Sequence, residues 1–200
     1  MKRLTVLLVM VAMIAAGAAA ESGSARGFLA GVEVGGGAGA ATLDGEPVVT
    51  IDVAATTEAA RWIDVGVRVG AVHTLERSYK DDEGRTYQAE VAQIQAMLRP
   101  KLVLGDRVDF GLLLGVGNGL LQFRYEHKYR DELTWTEEML DRVNFVMYSA
   151  GADIRVGLGT NLSLYGEGGY RATGYLDTPL MDDDALLGPY ARAGMTYSIR

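Results

Sequence analysis

The chain contains no cysteine and only 4 prolines among its 200 residues. The lack of cysteine excludes disulfide frameworks, thiolate zinc sites, cysteine nucleophiles and a lipid-modified N-terminal cysteine. The low proline content excludes collagen and proline-rich linkers. The 26 glycines, with so few prolines, are typical of tightly curved strands. A formal net charge of −7 argues against nucleic acid as a partner, because nucleic-acid-binding proteins are normally basic.

The N-terminus has the organisation of a secretory signal peptide. The basic pair Lys2-Arg3 precedes an apolar run over 4–16, and Ala18-Ala19-Ala20 supplies small residues at its exit. This pattern predicts cleavage after the last of these alanines. An uncleaved membrane anchor is the alternative, although the run is short for a span of about 20 residues. We therefore expect a signal peptide at 1–20 and a single domain at 21–200.

The rest of the chain alternates between apolar residues and polar or small residues with a period of two. Because successive side chains of a strand point to opposite faces, each alternating segment is predicted to be a strand with one apolar face. No position on these apolar faces carries a charge. The eight segments are 28–35, 49–55, 65–71, 92–102, 108–116, 146–158, 162–172 and 191–200.

The opposite faces of the same segments carry five acids and six bases, together with many glycines. In a soluble protein the charged face would meet water and the apolar face would form the core. Nearly balanced charges among glycines instead favour a membrane barrel, with apolar side chains towards lipid and paired charges filling a narrow lumen. The predicted lumen charges are Glu33, Asp52, Asp109, Asp153, Glu167, Arg68, Arg99, Lys101, Arg155, Arg171 and Arg192.

A buried charge is costly unless it is paired, so these residues are expected to form clusters. The first and last strands of a barrel are neighbours, which suggests that Glu33 meets Arg192. We expect one cluster of Glu33, Asp52, Glu167 and Arg192 at mid-depth. A second cluster, nearer the periplasm, is expected to contain Arg68, Arg99, Lys101, Asp109, Asp153 and Arg155. A static plug of ion pairs is favoured over a gated polar path, because eight strands enclose little room.

The connections between the segments alternate in length. Short connections at 59–64, 104–108 and 157–161 are expected to face the periplasm. Longer polar connections are predicted at 77–87, 124–141 and 176–188, on the outer side with the short hairpin at 43–46. The part of the longest one from Glu126 to Asp141 is a candidate contact for an outer partner or for lipopolysaccharide, although a merely exposed loop is also consistent with its composition.

Aromatic residues fall near the ends of the predicted strands, which is typical of anchoring at two membrane interfaces. Ordinary enrichment of aromatics in strands is the alternative. The expected periplasmic band contains Trp62, Phe110 and Tyr197, and the expected outer band contains Tyr79, Tyr87, Phe123, Tyr125, Tyr170 and Tyr175.

This pattern, over about 27–200, resembles the small eight-stranded outer-membrane barrels of the OmpA transmembrane-domain, OmpX and OmpW type. The resemblance implies an all-β, eight-stranded antiparallel up-and-down transmembrane β-barrel in the outer membrane of a Gram-negative-type envelope. It also implies contact with outer-membrane lipid and lipopolysaccharide, and insertion by the barrel-insertion machinery. One departure bears on that machinery: such barrels usually end on an aromatic residue, whereas this chain ends Tyr197-Ser198-Ile199-Arg200.

No catalytic residue, metal site or cofactor site is predicted. A hydrolase needs a nucleophile, a base and an acid within hydrogen-bond reach, and Ser78 is not evidently placed for this beside His73. We expect His73 to lie at the membrane interface and His127 in a charged loop. The run Asp182-Asp183-Asp184 lacks the spaced ligands of a calcium loop. The glycines at 35–39 are not followed by a helix, so a dinucleotide site is excluded.

The leading functional hypothesis is a non-enzymatic outer-membrane barrel with a structural role or a surface-interaction role. The alternatives are a narrow channel or small-ligand-binding barrel, a lipid A-modifying enzyme, and a soluble lipocalin-like barrel. The lipocalin-like alternative requires the apolar positions to face inward and the charges outward.

Overall fold

A computed structural model describes the backbone of residues 31–43, 45–80, 86–128, 135–174 and 186–199. Within these ranges it describes the side chains except those of 73–80, 86–88, 124–128 and 135–142. The strands are β1 (Val32–Leu43), β2 (Glu46–Ala60), β3 (Ile63–Lys80), β4 (Thr86–Val103), β5 (Val108–Lys128), β6 (Trp135–Gly157), β7 (Leu162–Gly174) and β8 (Gly188–Ile199). Within the described ranges, no helix has the length and apolar character needed to cross a membrane.

The eight strands form a closed, antiparallel, up-and-down barrel, as the alternation and the resemblance predicted. Each strand pairs with the next along the chain, and β8 closes the barrel by pairing with β1. Every predicted segment falls on one of these strands over its described part, except for Gly31 just before β1 and Leu158 just after β6. Residues 28–30 of the first predicted segment and Arg200 of the last lie outside the described residues.

Tight connections lie at one end of the barrel, here called the turn end. Arg61-Trp62 joins β2 to β3, and four-residue turns at 104–107 and 158–161 join β4 to β5 and β6 to β7. The opposite end, here called the hairpin end, carries the β1–β2 turn. Gly45 in that turn has φ of 76°, a left-handed conformation that glycine adopts without steric strain.

Two of the predicted long loops are largely strand, so those predictions are wrong over much of their length. β3 and β4 pair as far as Lys80 and Thr86, and β5 and β6 pair as far as Lys128 and Trp135. His127 therefore lies in β5 and not in a loop. The regular alternation fades in these segments, but main-chain pairing needs only the partner's N–H and C=O groups. Most of the third predicted loop, 176–188, lies outside the described residues.

The predicted orientation of the strand faces is confirmed by the pattern of side-chain exposure. Apolar side chains such as Ile51, Leu112 and Met195 project outward, and 54% of Leu112 is exposed. Charged side chains such as Asp52 and Arg99 are buried in the interior. The lipocalin-like alternative is wrong, because it places these two sets the other way round.

The outward aromatics agree with the predicted bands, with one exception. Trp62, Phe110 and Tyr197 are exposed near the turn end, and Tyr170 is exposed further along β7. Phe123 is wrongly placed in the outer band: it has the inward parity of β5 and is fully buried, at 0% exposure. The side chains of Tyr79, Tyr87, Tyr125 and Tyr175 lie outside the described residues.

An apolar core fills the interior of the barrel at the hairpin end, and we call it the upper core. The lumen prediction considered only charges and did not include it. Residues from β1 to β6 and from the start of β8 contribute to it. The upper core consists of Ala41, Leu43, Val48, Val72, Ala89, Val91, Leu121, Phe123, Phe145, Met147, Leu186 and Tyr190.

Replacing Gly119 by valine is expected to destabilise the upper core. A Cβ atom on Gly119 would collide with the ring of Phe145, which occupies the space beside the glycine backbone. Overpacking of this kind costs about 1–3 kcal/mol of folding free energy. Unfolding in urea, followed by the barrel's heat-dependent gel migration, measures the loss.

The control is Gly166→Val on β7, because a Cβ atom there meets nothing within 4 Å. Its unfolding curve should stay close to that of the wild type. If both valine variants lost the same stability, packing against Phe145 would not be the reason for the glycine at 119.

Candidate functional site

The charged lumen is the candidate functional site, and all eleven predicted residues lie on the inward parity of their strands. The structure arranges ten of them in two ion-pair networks and leaves Arg171 apart. The first network, the central quartet, consists of Asp52, Arg68, Glu167 and Arg192. The second, the turn-end network, consists of Glu33, Glu58, Asp64, Arg99, Lys101, Asp109, Asp153 and Arg155.

The central quartet spans the barrel. Arg68 on β3 donates two hydrogen bonds to Glu167 on β7, with Nη1–Oε1 and Nη2–Oε2 distances of 2.8 and 2.6 Å. Because β3 and β7 are four strands apart in a barrel of eight, this bidentate pair crosses the lumen. Arg192 on β8 donates to Asp52 Oδ2 at 2.8 Å and lies 3.0 Å from Glu167 Oε1. The quartet therefore joins four strands through side chains alone.

The quartet is formally neutral, since each of its two arginines contacts both carboxylates. Asp52 and Arg68 complete the ring at 3.7 Å, measured between Oδ1 and Nε. The guanidinium of Arg192 also lies 4.5 Å from the centre of the Tyr190 ring, which adds a cation–π contact. All four charged side chains are nearly inaccessible to solvent. Paired in this way, the charges avoid the cost that an isolated buried charge would carry.

Arg99 is the centre of the turn-end network. Its Nε lies 2.9 Å from both carboxylate oxygens of Asp153, and its Nη1 donates to Asp64 Oδ2 at 3.0 Å. Its Nη2 donates to Asp109. The three carboxylates belong to β6, β3 and β5, so one guanidinium on β4 connects four strands. Arg99 is 1% exposed.

Lys101 extends the network towards the solvent at the turn end. Its ammonium group donates to Asp64 Oδ1 at 2.7 Å and to Glu58 Oε2 at 2.8 Å. The side chain of Glu58 is about half exposed, whereas that of Asp64 is buried. Lys101 thus links a buried carboxylate to the edge of the barrel.

Arg155 carries the network to the other side of the lumen. Its Nε donates to Asp153 Oδ2 at 3.1 Å, and its Nη1 donates to Glu33 Oε2 at 2.6 Å. Ser198 on β8 donates to the second oxygen of Glu33 at 3.0 Å. With five acids and three bases, the turn-end network has a formal excess of two negative charges.

The two networks differ from the expected clusters by an exchange of Glu33 and Arg68. Glu33 lies opposite Ser198 in the β1–β8 register, whereas Arg192 lies opposite Gly39. Six residues of a strand span about 20 Å, so Glu33 and Arg192 are near opposite ends of the shared ladder. β1 and β8 are neighbours as expected, but their antiparallel pairing brings the start of β1 to the end of β8.

Asp64 and Glu58 are network members that the sequence interpretation missed, because Asp64 was assigned to the connection at 59–64 and Glu58 lies between that connection and the segment at 49–55. The sequence did contain evidence for their inward positions, in the alternation of the strands to which they belong. Asp64 shares the inward parity of Arg68 on β3, and Glu58 shares that of Asp52 on β2. Extending each alternation by a few residues would have placed both carboxylates in the lumen.

Arg171 is buried and contacts no carboxylate among the described side chains. Its Nε donates to the carbonyl oxygen of Leu186 at 3.0 Å, and its Nη2 donates to that of Thr42. Thr42 in turn donates its hydroxyl to the carbonyl oxygen of Leu187 at 3.4 Å. Arg171 therefore ties the backbone just before β8 to the end of β1, at the hairpin end of the lumen.

A cavity of about 20 Å³ separates the central quartet from the turn-end network. Arg68, Asp153, Tyr165 and Thr196 are among its lining residues. A volume of this size holds about one water molecule, and Thr196 Oγ1 is a buried hydroxyl without a hydrogen-bond partner. The cavity suits an ordered water molecule and not an open passage.

The predictions about metal sites and histidines concern mostly side chains that the structure does not describe. No group of three or more histidine, aspartate or glutamate side chains in the described part of the chain is arranged to hold a metal ion. The side chains of His73 and His127, and the run Asp182-Asp183-Asp184, lie outside the described residues.

The variant Glu167→Gln is expected to lose about 3–5 kcal/mol of folding stability, the usual cost of removing one partner of a buried ion pair. It leaves Arg68 and Arg192 to share the single carboxylate of Asp52. Equilibrium unfolding in urea measures the loss.

A double-mutant cycle with Arg68→Met and Glu167→Met provides the control. The double variant leaves the neutral pair Asp52–Arg192, so its loss should be smaller than the sum of the two single losses. Simple additivity would contradict the contact between Arg68 and Glu167.

Comparison with known proteins shows the fold. No protein-family model and no curated protein sequence matches this chain. The structure is similar to that of Neisserial surface protein A, with 12% identity, 84% of this chain and 97% of that chain covered, and a TM-score of 0.58. It is also similar to a major outer membrane protein from Thermus thermophilus, with 17% identity, coverage of 83% and 98%, and a TM-score of 0.58. The resemblance to small eight-stranded outer-membrane barrels is thus confirmed at the level of the fold.

Proposed function

We propose that this chain is an integral outer-membrane β-barrel with a structural role or a surface-interaction role. The observation that carries the proposal is the outward surface of the barrel. From the turn end up to Ala92 on β4, Val116 on β5 and Val146 on β6, the described outward side chains include exposed apolar residues and no charged ones. In water such a surface would promote aggregation. In a bilayer it is the surface that a barrel needs.

The height of the apolar surface supports a membrane location. On β4 it extends from Ala92 to Leu102, ten residue steps along the strand. At about 3.4 Å a step this is about 34 Å, and a strand tilt of about 40° reduces it to about 26 Å. The apolar band of outer-membrane barrels is about 25 Å tall.

The orientation follows from the connections. Barrels of this class keep their short turns in the periplasm and their longer hairpins outside, so the turn end faces the periplasm. The hairpin end then meets the lipopolysaccharide leaflet and the medium. Delivery by the barrel-insertion machinery and contact with outer-membrane lipid belong to the same proposal.

We infer a non-enzymatic and non-conducting role, and the filled interior favours the absence of conduction. The bidentate Arg68–Glu167 pair crosses the lumen, the upper core closes the hairpin end, and the cavity between the networks has a volume of only about 20 Å³. Eight strands leave room for side chains or one small ligand, and here side chains occupy it.

The decisive experiment is a gel of the outer-membrane fraction, run with and without heating. A folded barrel that resists detergent migrates differently after boiling, so a heat-dependent shift in that fraction is expected. An unshifted band in the soluble periplasmic fraction would overturn the proposal.

Two further measurements separate the proposed role from its alternatives. Purified folded protein should give no current steps in a planar lipid bilayer, whereas regular steps would favour the narrow channel. The mass spectrum of lipid A should be unchanged by expression of the protein. A new lipid A species would favour the enzyme.

A further inference from the structure

The polarity of the barrel wall inverts towards the hairpin end. Below Val116 on β5, the outward side chains are apolar, as at Leu112 and Leu114, and Asp109 points inward. Above it, the outward parity carries Asn118, Leu120 and Gln122, while Leu121 and Phe123 point inward and are fully buried. The outward face thus changes from wholly apolar to mainly polar between Val116 and Gln122, and the inward face becomes wholly apolar at Leu121 and Phe123.

The neighbouring strands change where they pair with residues 118–120 of β5, since Ala92 lies opposite Leu120 and Val146 lies opposite Asn118. On β6, Asn144 is exposed on the outward parity, while Phe145 and Met147 are buried inside. On β4, Glu90 occupies the outward parity, while Ala89 and Val91 are buried inside. The change therefore belongs to a sector of three adjacent strands and not to one irregular residue.

The two arrangements suit different surroundings. A wall with apolar side chains outside and charges inside is favourable in lipid. A wall with polar side chains outside and an apolar core is favourable in water. We therefore expect the first arrangement to give way to the second where the barrel passes from lipid into water.

We propose that the inversion marks the outer surface of the membrane, at about Ala92 on β4, between Val116 and Leu120 on β5, and at about Val146 on β6. Beyond it the barrel continues into the medium around a dry core of the kind found in soluble proteins. This inference rests on the proposed membrane location. It assigns the upper core a function, which is to hold the long β3–β4 and β5–β6 hairpins on a rigid base above the lipid.

The contacts at the mouth of the barrel agree with a closed, dry core. Leu186 is buried in the upper core just before β8 begins. Arg171 fixes the backbone there by donating to the carbonyl oxygens of Leu186 and Thr42. The segment that enters β8 therefore covers the core instead of opening it to water.

The test uses thiol labelling, because the chain contains no cysteine and each single-cysteine variant carries one reporter. Gln122→Cys and Asn144→Cys place thiols outward beyond the inversion, and Leu112→Cys and Ala152→Cys place them outward in the apolar band. Each variant is folded into phosphatidylcholine vesicles and treated with a charged, membrane-impermeant maleimide. The same variants unfolded in urea give the reference rate of labelling.

The thiols at 122 and 144 are expected to react, and those at 112 and 152 to react at least about tenfold more slowly, because hydrocarbon excludes both the reagent and the thiolate. Protection at all four positions would overturn the boundary and leave the membrane location intact. Fast labelling at all four would overturn the membrane location itself.

A second measurement tests the dry core. Leu121→Asn places an amide in the upper core, whereas Leu113→Asn places one inward beside the cavity among the ion pairs. The urea midpoint of unfolding is expected to fall clearly for Leu121→Asn and much less for Leu113→Asn. Equal midpoints for the two variants would show that the lumen is equally polar at both levels, contrary to the proposal.

Discussion

Replacing Leu112 by arginine is expected to destabilise the barrel in a bilayer by about 2–4 kcal/mol, the cost of an arginine on the lipid face near the midplane. Leu112 projects outward from β5 in the middle of the apolar stretch from Val108 to Val116, and 54% of the residue is exposed. Unfolding in urea from phospholipid vesicles, followed by the fluorescence of the chain's 2 tryptophans, measures the loss.

The matched control is Asn118→Arg, on the same strand and the same face but six residues nearer the hairpin end. Close to the interface the cost of an arginine falls to about 0–1 kcal/mol. If the barrel stood in water, Leu112→Arg would be harmless, because the leucine side chain is already exposed. Equal stability of the two variants in vesicles would therefore contradict the membrane location.

The fold could be predicted because the alternation of side chains is a local property of a strand. On β8, for example, Ala191, Ala193 and Met195 share one parity, and Arg192 has the other. The structure puts the first three outward and Arg192 inside. This step needs no knowledge of the pairing partners, because the sequence of one strand is enough to assign its residues to two opposite faces.

The ion pairs could not be predicted in the same way, because they depend on register and on the stagger between strands. Arg155 contacts Glu33, which is 122 positions away in sequence, and Arg68 contacts Glu167, which is 99 positions away. A shift of two residues in one strand pair keeps every face unchanged but gives each charge a different neighbour. The sequence of a single strand therefore predicts that a charge points inward, but it does not predict which residue the charge pairs with.

The upper core was missed for a different reason, since its signal is present in the sequence. Leu121 and Phe123 alternate with Gln122 as regularly as the residues earlier in β5, but with the apolar residues on the other parity. Phe123 was assigned to an interfacial band from its position near the end of a strand, without regard to its parity. A rule that lets the apolar parity change where the medium changes would have found both the core and the boundary.

Replacing Arg99 by methionine is expected to cause the largest loss among the lumen variants, at least about 3–5 kcal/mol. The substitution keeps much of the side-chain volume but leaves three carboxylates, those of Asp64, Asp109 and Asp153, without their shared guanidinium. Arg99→Lys should recover little of the loss, because one ammonium group cannot reproduce the planar fork that reaches all three acids. Equilibrium unfolding in urea, with heat-dependent gel migration as the measure of folded barrel, tests both variants.

The control is Arg107→Met, because Arg107 is exposed in the turn between β4 and β5 and its replacement should not change the unfolding curve measurably. A second substitution then tests the cause of the loss. Adding Asp153→Asn to Arg99→Met removes one of the three carboxylates that Arg99 neutralised and lowers the negative excess of the turn-end network, so the double variant should be more stable than Arg99→Met alone. If Asp153→Asn destabilised the Arg99→Met barrel further, uncompensated buried charge would not be the cause, and the role of Arg99 would be packing between β3, β5 and β6.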